Sequence, residues 1–327
     1  MSMAENPICT VLLITYNHAP YIAQCIDSVL SQKTKYPFII KIFDDASTDG
    51  SSNIIRAYAA KYPDKIEAHV AQSNQGAQAN IWNAYASVDT KYCCLTETDD
   101  YWCDDERLEL QISALEEHPE CSFCGGNTII KNVTDVNVEY ADGVPILNNP
   151  VLKQKTIFSY DDFYNVTNGG YIPYQSARLL RSSCLKLGEV TKKEAVLFDF
   201  NQFYWFLIQG KYYYADKVFS VYQRTGAGVC SEKPPLVFLN DFIKKTIEFN
   251  EQTNFVIADK ICTEVILQSY FRLGLATHKE SAEKPIKKSV FKLIQYHVLF
   301  LVTFGKRRRR YKEKWKRMKN AFRGGRK

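Results

Sequence analysis

The chain has 327 residues, 46% of them hydrophobic and 24% charged, the composition of an ordinary globular protein long enough to bury a sizeable core in one large domain or two smaller ones. Ten cysteines in such a chain, with no apolar leader ahead of Ile8, read as reduced core residues rather than a disulfide framework and give a cytoplasmic expectation, under which the Asn132 and Asn165 sequons are accidental. The net charge of +6 is uneven, because residues 306 to 327 hold thirteen Lys or Arg against Glu313 alone; that tail carries about +12 and leaves about −6 for residues 1 to 305.

The first half alternates strand and helix patterns. Ile8 to Ile14 is a continuous apolar run suited to a buried strand, and Ile22, Cys25, Ile26, Val29 and Leu30 follow at helical spacing. Phe38 to Phe43 predicts a second strand; Ile54, Ile55, Tyr58, Ala59 and Tyr62 predict a helix that stops at Pro63. Ile66 to Ala71, a helix from about Gln78 to Ala86, and Lys91 to Thr96 continue the alternation, and Leu108, Ile112 and Leu115 mark one more helix. The alternation predicts an α/β fold with a mostly parallel sheet and helices on both faces, with ligands at the carboxyl ends of the strands.

Beyond about residue 130 the pattern loosens. Residues 131 to 160 predict a loop, Gln175 to Leu180 a strand, Phe200 to Ile208 a buried aromatic helix, Lys217 to Tyr222 a strand, and residues 236 to 278 two helices. Residues 289 to 304 are apolar but interrupted by Lys292, Gln295 and His297, too short and too polar for a spanning helix of about 20 residues. An amphipathic helix at a membrane interface, reinforced by the basic tail, suits them, as does a last core helix with a solvated tail. Arg307 to Arg310 could bind phosphates, but no nucleic-acid motif in the body supports that use.

Three strand ends carry the chemistry. The loop after the first strand, Thr15-Tyr16-Asn17-His18, lacks the G-x-G-x-x-G of a dinucleotide enzyme and offers short polar groups suited to a base edge. The second strand ends in Asp44-Asp45, one of which must face the crevice, while Asp49 or Ser51 could cap the next helix. The fourth ends in Glu97-Thr98-Asp99-Asp100. Neighbouring carboxylates raise one another's pKa, and a hard divalent ion, Mg2+ or Mn2+, would compensate them by taking their oxygens together with substrate phosphates. A solvated, helix-capping acidic loop, with Asp104-Asp105-Glu106 as first turn, is the plainer alternative. Cys121-Ser122-Phe123-Cys124 and the vicinal Cys93-Cys94 have no partners at zinc-site spacing, and the histidines, His18 among them, are isolated along the sequence. Tyr101 and Trp102 could stack on a sugar or pack under the acidic loop.

The order of these elements resembles the family 2 nucleotide-diphospho-sugar glycosyltransferases. The matching residues are Thr15-Tyr16-Asn17, the D-D-x-S-x-D-G run Asp44 to Gly50, Asn74-Gln75-Gly76, Thr98 to Trp102, Gly170 to Arg181, Phe198-Asp199-Phe200 and Asp216 to Tyr222. The resemblance covers residues 6 to 231 and implies a GT-A fold, Rossmann-like, for a domain of residues 1 to 231; the residue pattern beyond it adds a helical region, 232 to 288, and an amphipathic helix with polybasic tail, 289 to 327. It implies donor contacts from Thr15, Tyr16, Asn17, Asp44, Asp45, Asn74, Gly76 and Asp99, and a metal held by Asp100 with Asp99 and Glu97. It implies Asp199 as general base in an inverting transfer to a hydroxyl of a glycan or lipid-linked acceptor, with UDP as the expected nucleotide; the basic amphipathic end gives the inner face of the cell membrane as the expected location. Phe198 stands where the family often has Gly or Glu, Gln223 where it often has Arg, and Thr225 where it often has His, so reduced metal dependence, or contact of Tyr222 or Arg224 with the diphosphate, is also open. A non-catalytic nucleotide-sugar-binding module and a metal-dependent nucleotidyltransferase are the alternatives. Donor sugar, acceptor, linkage and oligomeric state are not legible.

Overall fold

The computed structural model describes residues 6–133, 155–160, 162–163, 173–185 and 199–225, all within the compact unit Met1–Lys233. Strand β1 (Cys9–Thr15) is buried at every position, as expected of a parallel strand covered on both faces. Helix α1 (Ile22–Leu30) turns Ile22, Cys25, Ile26 and Val29 into the core, the stripe predicted from their spacing. β2 (Phe38–Asp44), α2 (Ser51–Lys61), β3 (Ile66–Val70), α3 (Ala77–Ala86) and β4 (Tyr92–Glu97) follow. Next come a two-residue strand β5 (Tyr101–Trp102), α4 (Arg107–Glu117) and the long β6 (Cys121–Asn132). β7 (Ile157–Phe158), β8 (Arg178–Arg181), α5 (Asp199–Gln209) and β9 (Lys211–Arg224) complete the described elements.

The nine described strands form one sheet in the order β3-β2-β1-β4-β8-β6-β9-β5, with β7 on β9. Only β3, β2, β1 and β4 make a continuous parallel run; β8 is antiparallel to both β4 and β6, and β5 and β7 are antiparallel to β9, so the sheet is mixed. β6 and β9 are parallel to each other. Phe123, Phe158, Phe163, Phe203 and Tyr212 fill this second half with stacked and edge-on rings.

Three elements depart from expectation. Gln175 to Leu180 does not run straight: Gln175–Ala177 winds into a single 3-10 turn before β8, because the carbonyls of Ser176, Ala177 and Arg178 are drawn to Arg107 and Gln111 of α4. β9 begins at Lys211 rather than Lys217. The ladder to β6 slips between the pairs Gly125–Tyr214 and Asn127–Val218, so the turn-like Ala215-Asp216-Lys217 is a bulge inside one strand. Gly126 lies against that bulge, where a Cβ would meet the Phe219 ring at 2.5 Å and the Lys217 carbonyl oxygen at 2.6 Å. Tyr101–Trp102, too short to show periodicity, pairs with Val221 and Ser220. Among the described residues no helix is long and apolar enough to cross a membrane. The expected helices of 236 to 278, the amphipathic segment 289 to 304 and the basic tail lie outside the described residues.

Candidate active site

Parallel register brings the carboxyl ends of the strands level. Thr15 pairs with Asp44 and Ile14 with Glu97, and the chain crosses between strand ends through Asp45 N–H to the Thr15 carbonyl (3.0 Å) and Thr98 N–H to the Ile14 carbonyl (3.0 Å). The predicted residues Thr15, Asp44, Asp45, Glu97 and Asp99 therefore meet at one end of the sheet.

Several of them hold the loops together. Asn17 sits at φ 57°, a left-handed conformation that Asn tolerates; its N–H donates to Ser47 Oγ at 2.8 Å, and its Oδ1 accepts the Thr48 N–H at 2.8 Å. Asp44 is buried and accepts from the Ser47 hydroxyl and N–H and from the Ser52 hydroxyl. Asp49 joins the Ala19 N–H (2.8 Å) to the Ser51 N–H (3.0 Å), stitching the first loop to the start of α2. Asp45, 2% exposed, takes the N–H of Gln75 on Oδ1 (2.7 Å) and of Gly76 on Oδ2 (2.8 Å), while Asn74 Oδ1 also accepts the Gly76 N–H at 2.9 Å. Gly76 at φ +88° makes that approach possible. Tyr16 is 44% exposed at the rim.

The acidic turn is different in kind. Asp99 and Asp100 are 6% and 5% exposed. Burial pushes the Asp100 carboxyl well up, Asp99 and Glu97 push it further, and the Gln223 N–H and Ser176 hydroxyl only partly oppose them. Burial likewise raises Asp99, against the opposing effect of His18. Asp99 Oδ1 is buried without a hydrogen-bond partner, as is Thr15 Oγ1 at the end of β1. Adjacent buried carboxylates that disfavour their own charge fit a cation. Among the described residues no three His, Cys, Asp or Glu side chains gather to enclose an ion, so the fit is to one that takes one or two carboxylates and completes its shell with diphosphate oxygens and water.

Trp102 is spoken for by packing: its indole N–H donates to Thr96 Oγ1 at 2.9 Å, and the Arg107 guanidinium stacks over its ring at 3.9 Å. It is not a sugar platform. Cys93, Cys94, Cys121 and Cys124 are buried and unbridged, and burial pushes the Cys93 and Cys124 thiols up, as in core residues. Asp199 opens α5; its side chain, with Phe198 before it, lies outside the described residues.

Three residues escaped sequence reasoning. His18, isolated along the chain, places Nδ1 3.0 Å from Thr98 Oγ1 and 3.8 Å from Asp99 Oδ1. Arg107 looks like a charge in a helix's first turn, yet it is fully buried, bonding Gln111 Oε1 and the carbonyls of Ser176 and Arg178. Gln223 was visible only as a departure from the family pattern; it contacts both aspartates of the turn.

The chain is similar to the putative glycosyltransferase EpsE of Bacillus subtilis, 31% identical over 128 residues (39% of this chain, 45% of the relative). It is also similar to the putative teichuronic acid biosynthesis glycosyltransferase TuaG of the same organism, 28% over 157 residues (48% and 57%). An uncharacterized protein of Mycobacterium tuberculosis is 34% identical over 152 residues (46% and 42%). The chain thus spans about half the length of the curated relatives it matches. Its fold is shared with residues 1–349 of TarS from S. aureus, solved with UDP-GlcNAc (TM-score 0.59, 16% identity, 86% of this chain and 77% of that one). It is shared too with a mannosyltransferase from Pyrobaculum calidifontis solved with GDP-Man and Mn2+ (TM-score 0.51, 16% identity, 90% and 81%). The model of glycosyl transferase family 2 matches residues 10–182, more than half of the chain, and with a mixed sheet that levels its acidic strand ends at one end, this protein belongs to that family and has the GT-A fold.

Proposed function

We propose that this protein is an inverting transferase that moves a sugar from a nucleotide diphosphate, UDP in the first instance, to a hydroxyl of a glycan or lipid-linked acceptor. The buried Asp99–Asp100 pair carries this reading: two adjacent carboxylates whose charged forms are disfavoured by burial, with Asp99 Oδ1 making no hydrogen bond, suit a cation bound together with a diphosphate. Mn2+ or Mg2+ there would neutralise the charge developing on the departing nucleotide diphosphate. Thr15, with a buried unpaired hydroxyl, and the exposed Tyr16 flank the same strand ends and serve the nucleoside. Asp199 takes the proton of the acceptor hydroxyl as that oxygen bonds the anomeric carbon and the bond to the diphosphate oxygen breaks on the opposite face, which inverts the centre. Support comes from the UDP-GlcNAc, and the GDP-Man with Mn2+, in the two structures that share this fold.

The protein works at the cytoplasmic face of the membrane, held there by residues 289 to 327; the apolar run and the thirteen basic residues after it support that placement. A panel of UDP- and GDP-sugars tested for thermal stabilisation and for slow donor hydrolysis, with and without Mn2+, tests the assignment. Hydrolysis of one donor that needs the metal is the expected result. Stabilisation with neither hydrolysis nor transfer would make the protein a binding module, and pyrophosphate release from a nucleoside triphosphate would make it a nucleotidyltransferase.

A further inference from the structure

Strand β9 meets the acidic turn through one residue. Gln223 is 4% exposed; its backbone N–H donates to Asp100 Oδ1 at 3.1 Å and its side-chain Nε2 donates to the Asp99 carbonyl oxygen at 2.6 Å. Two residues earlier on the same strand, Val221 pairs with Tyr101, and Ser220 pairs with Trp102, so the chain leaving the turn is also anchored to β9. The Asp100 carboxyl is approached from elsewhere by the Ser176 hydroxyl, whose oxygen lies 3.1 Å from Ser220 Oγ. Pairing of Gln223 with Lys131 in the ladder is a backbone matter and makes no demand on the side chain. The amide is nonetheless buried and spent on the turn.

We propose that Gln223 is a positioning residue for the cation and diphosphate site: by pinning the Asp99 carbonyl and the Asp100 carboxylate from one strand, it holds the turn so that Asp99 Oδ1 makes no hydrogen bond and stays available to an ion. This inference rests on the acidic turn being the cation seat. Two adjacent carboxylates repel one another when no ion lies between them. A turn left to itself would relax by rotating the peptide between them and would have to be reordered on binding. Holding the Asp99 carbonyl and the Asp100 carboxylate from β9 removes the reordering cost before the ion arrives. The requirement is for a donor, since a carbonyl oxygen only accepts. Hydrogen-bond partners one step behind a metal ligand typically change metal affinity by about 10- to 100-fold.

The test is Mn2+ binding to the purified full-length protein, followed by electron paramagnetic resonance with Mn2+ alone and with Mn2+ plus UDP. Gln223→Met keeps the backbone N–H and similar length but removes the side-chain donor; it is expected to bind Mn2+ about 10- to 100-fold more weakly while UDP binding without metal is unchanged. Should the Met variant not fold, Gln223→Asn, polar but one methylene short of the Asp99 carbonyl, is measured in its place with the same expectation. A folded variant with wild-type Mn2+ affinity overturns the role of Gln223 and leaves the cation seat standing. A wild-type protein that binds no Mn2+ with or without UDP overturns both.

Discussion

Asp45 grips Gly76: its Oδ2 accepts the Gly76 N–H at 2.8 Å while Oδ1 accepts the preceding N–H of Gln75 at 2.7 Å, so one buried carboxylate at the end of β2 carries the loop that follows β3. A residue expected from the family resemblance to contact the donor thus also builds the loop beside it. In Asp45→Asn one oxygen becomes an NH2 group facing an N–H, at a cost of about 1–3 kcal/mol. Urea unfolding should report that loss; an unchanged midpoint would show the clamp to be idle.

The acidic turn makes stability depend on pH. Asp100 has a carboxyl raised above its ordinary value of 3.8, first by burial and then by Asp99 and Glu97, so its contribution is fully present below that ordinary value and is lost as pH rises through the raised one. The Asp100 contribution should therefore fall on going from acid toward neutral pH in metal-free protein, and Mn2+ should offset that fall. Asp100→Asn should flatten both the pH dependence and the Mn2+-induced rise in melting temperature. A metal-free variant that keeps the wild-type pH slope would place the titration elsewhere.

Arg107 is the opposite case, a buried cation that donates to neutral oxygens: Gln111 Oε1 and the carbonyls of Ser176 and Arg178. Burial lowers its pKa to about 10, which keeps it charged at neutral pH. Arg107→Met keeps much of the volume over Trp102 but strands those oxygens, and should destabilise the fold by about 1–3 kcal/mol for each one left without a donor. Calorimetry would read this as a drop of many degrees; a shift of a degree or two would mean that water takes over the guanidinium's partners.

Asp199→Asn should abolish sugar transfer while donor binding persists, because the amide cannot take the acceptor proton. Isothermal titration with the donor beside a transfer assay separates the two; an active variant removes Asp199 from the role of base.

Deletion of residues 306 to 327 removes thirteen basic side chains and should weaken binding to anionic liposomes by several-fold without touching hydrolysis of a soluble donor. Unchanged sedimentation with liposomes would leave the tail without its proposed use.

Much of the first half was legible because its signals are local. The strand at Cys9–Thr15 is an unbroken apolar run, and α1 displays its buried face in the spacing of Ile22, Cys25, Ile26 and Val29. Two-residue β5 and the bulge at Ala215-Asp216-Lys217 were not legible, since pairing partners far along the chain create them. The same holds within the site. Asp44, Asp45, Asp99 and Asp100 declared themselves as acidic residues at strand ends, whereas the separate tasks of Asp44 and Asp45 in loop building depend on Ser47, Ser52, Gln75 and Gly76 lying within reach.

By itself the sequence determined the alternation of strands and helices, the acidic character of the strand ends and the family pattern, because hydrophobic periodicity and turn chemistry act between residues a few positions apart. Tertiary structure decided that the sheet is mixed, that His18 stands beside Asp99, that Arg107 is buried over Trp102, and that Gln223 closes on the Asp99–Asp100 turn. Each of those facts joins residues separated by many positions in the chain, or hides a charge that would ordinarily face water, and only the packing of the whole sheet determines which groups lose water and which partners replace it.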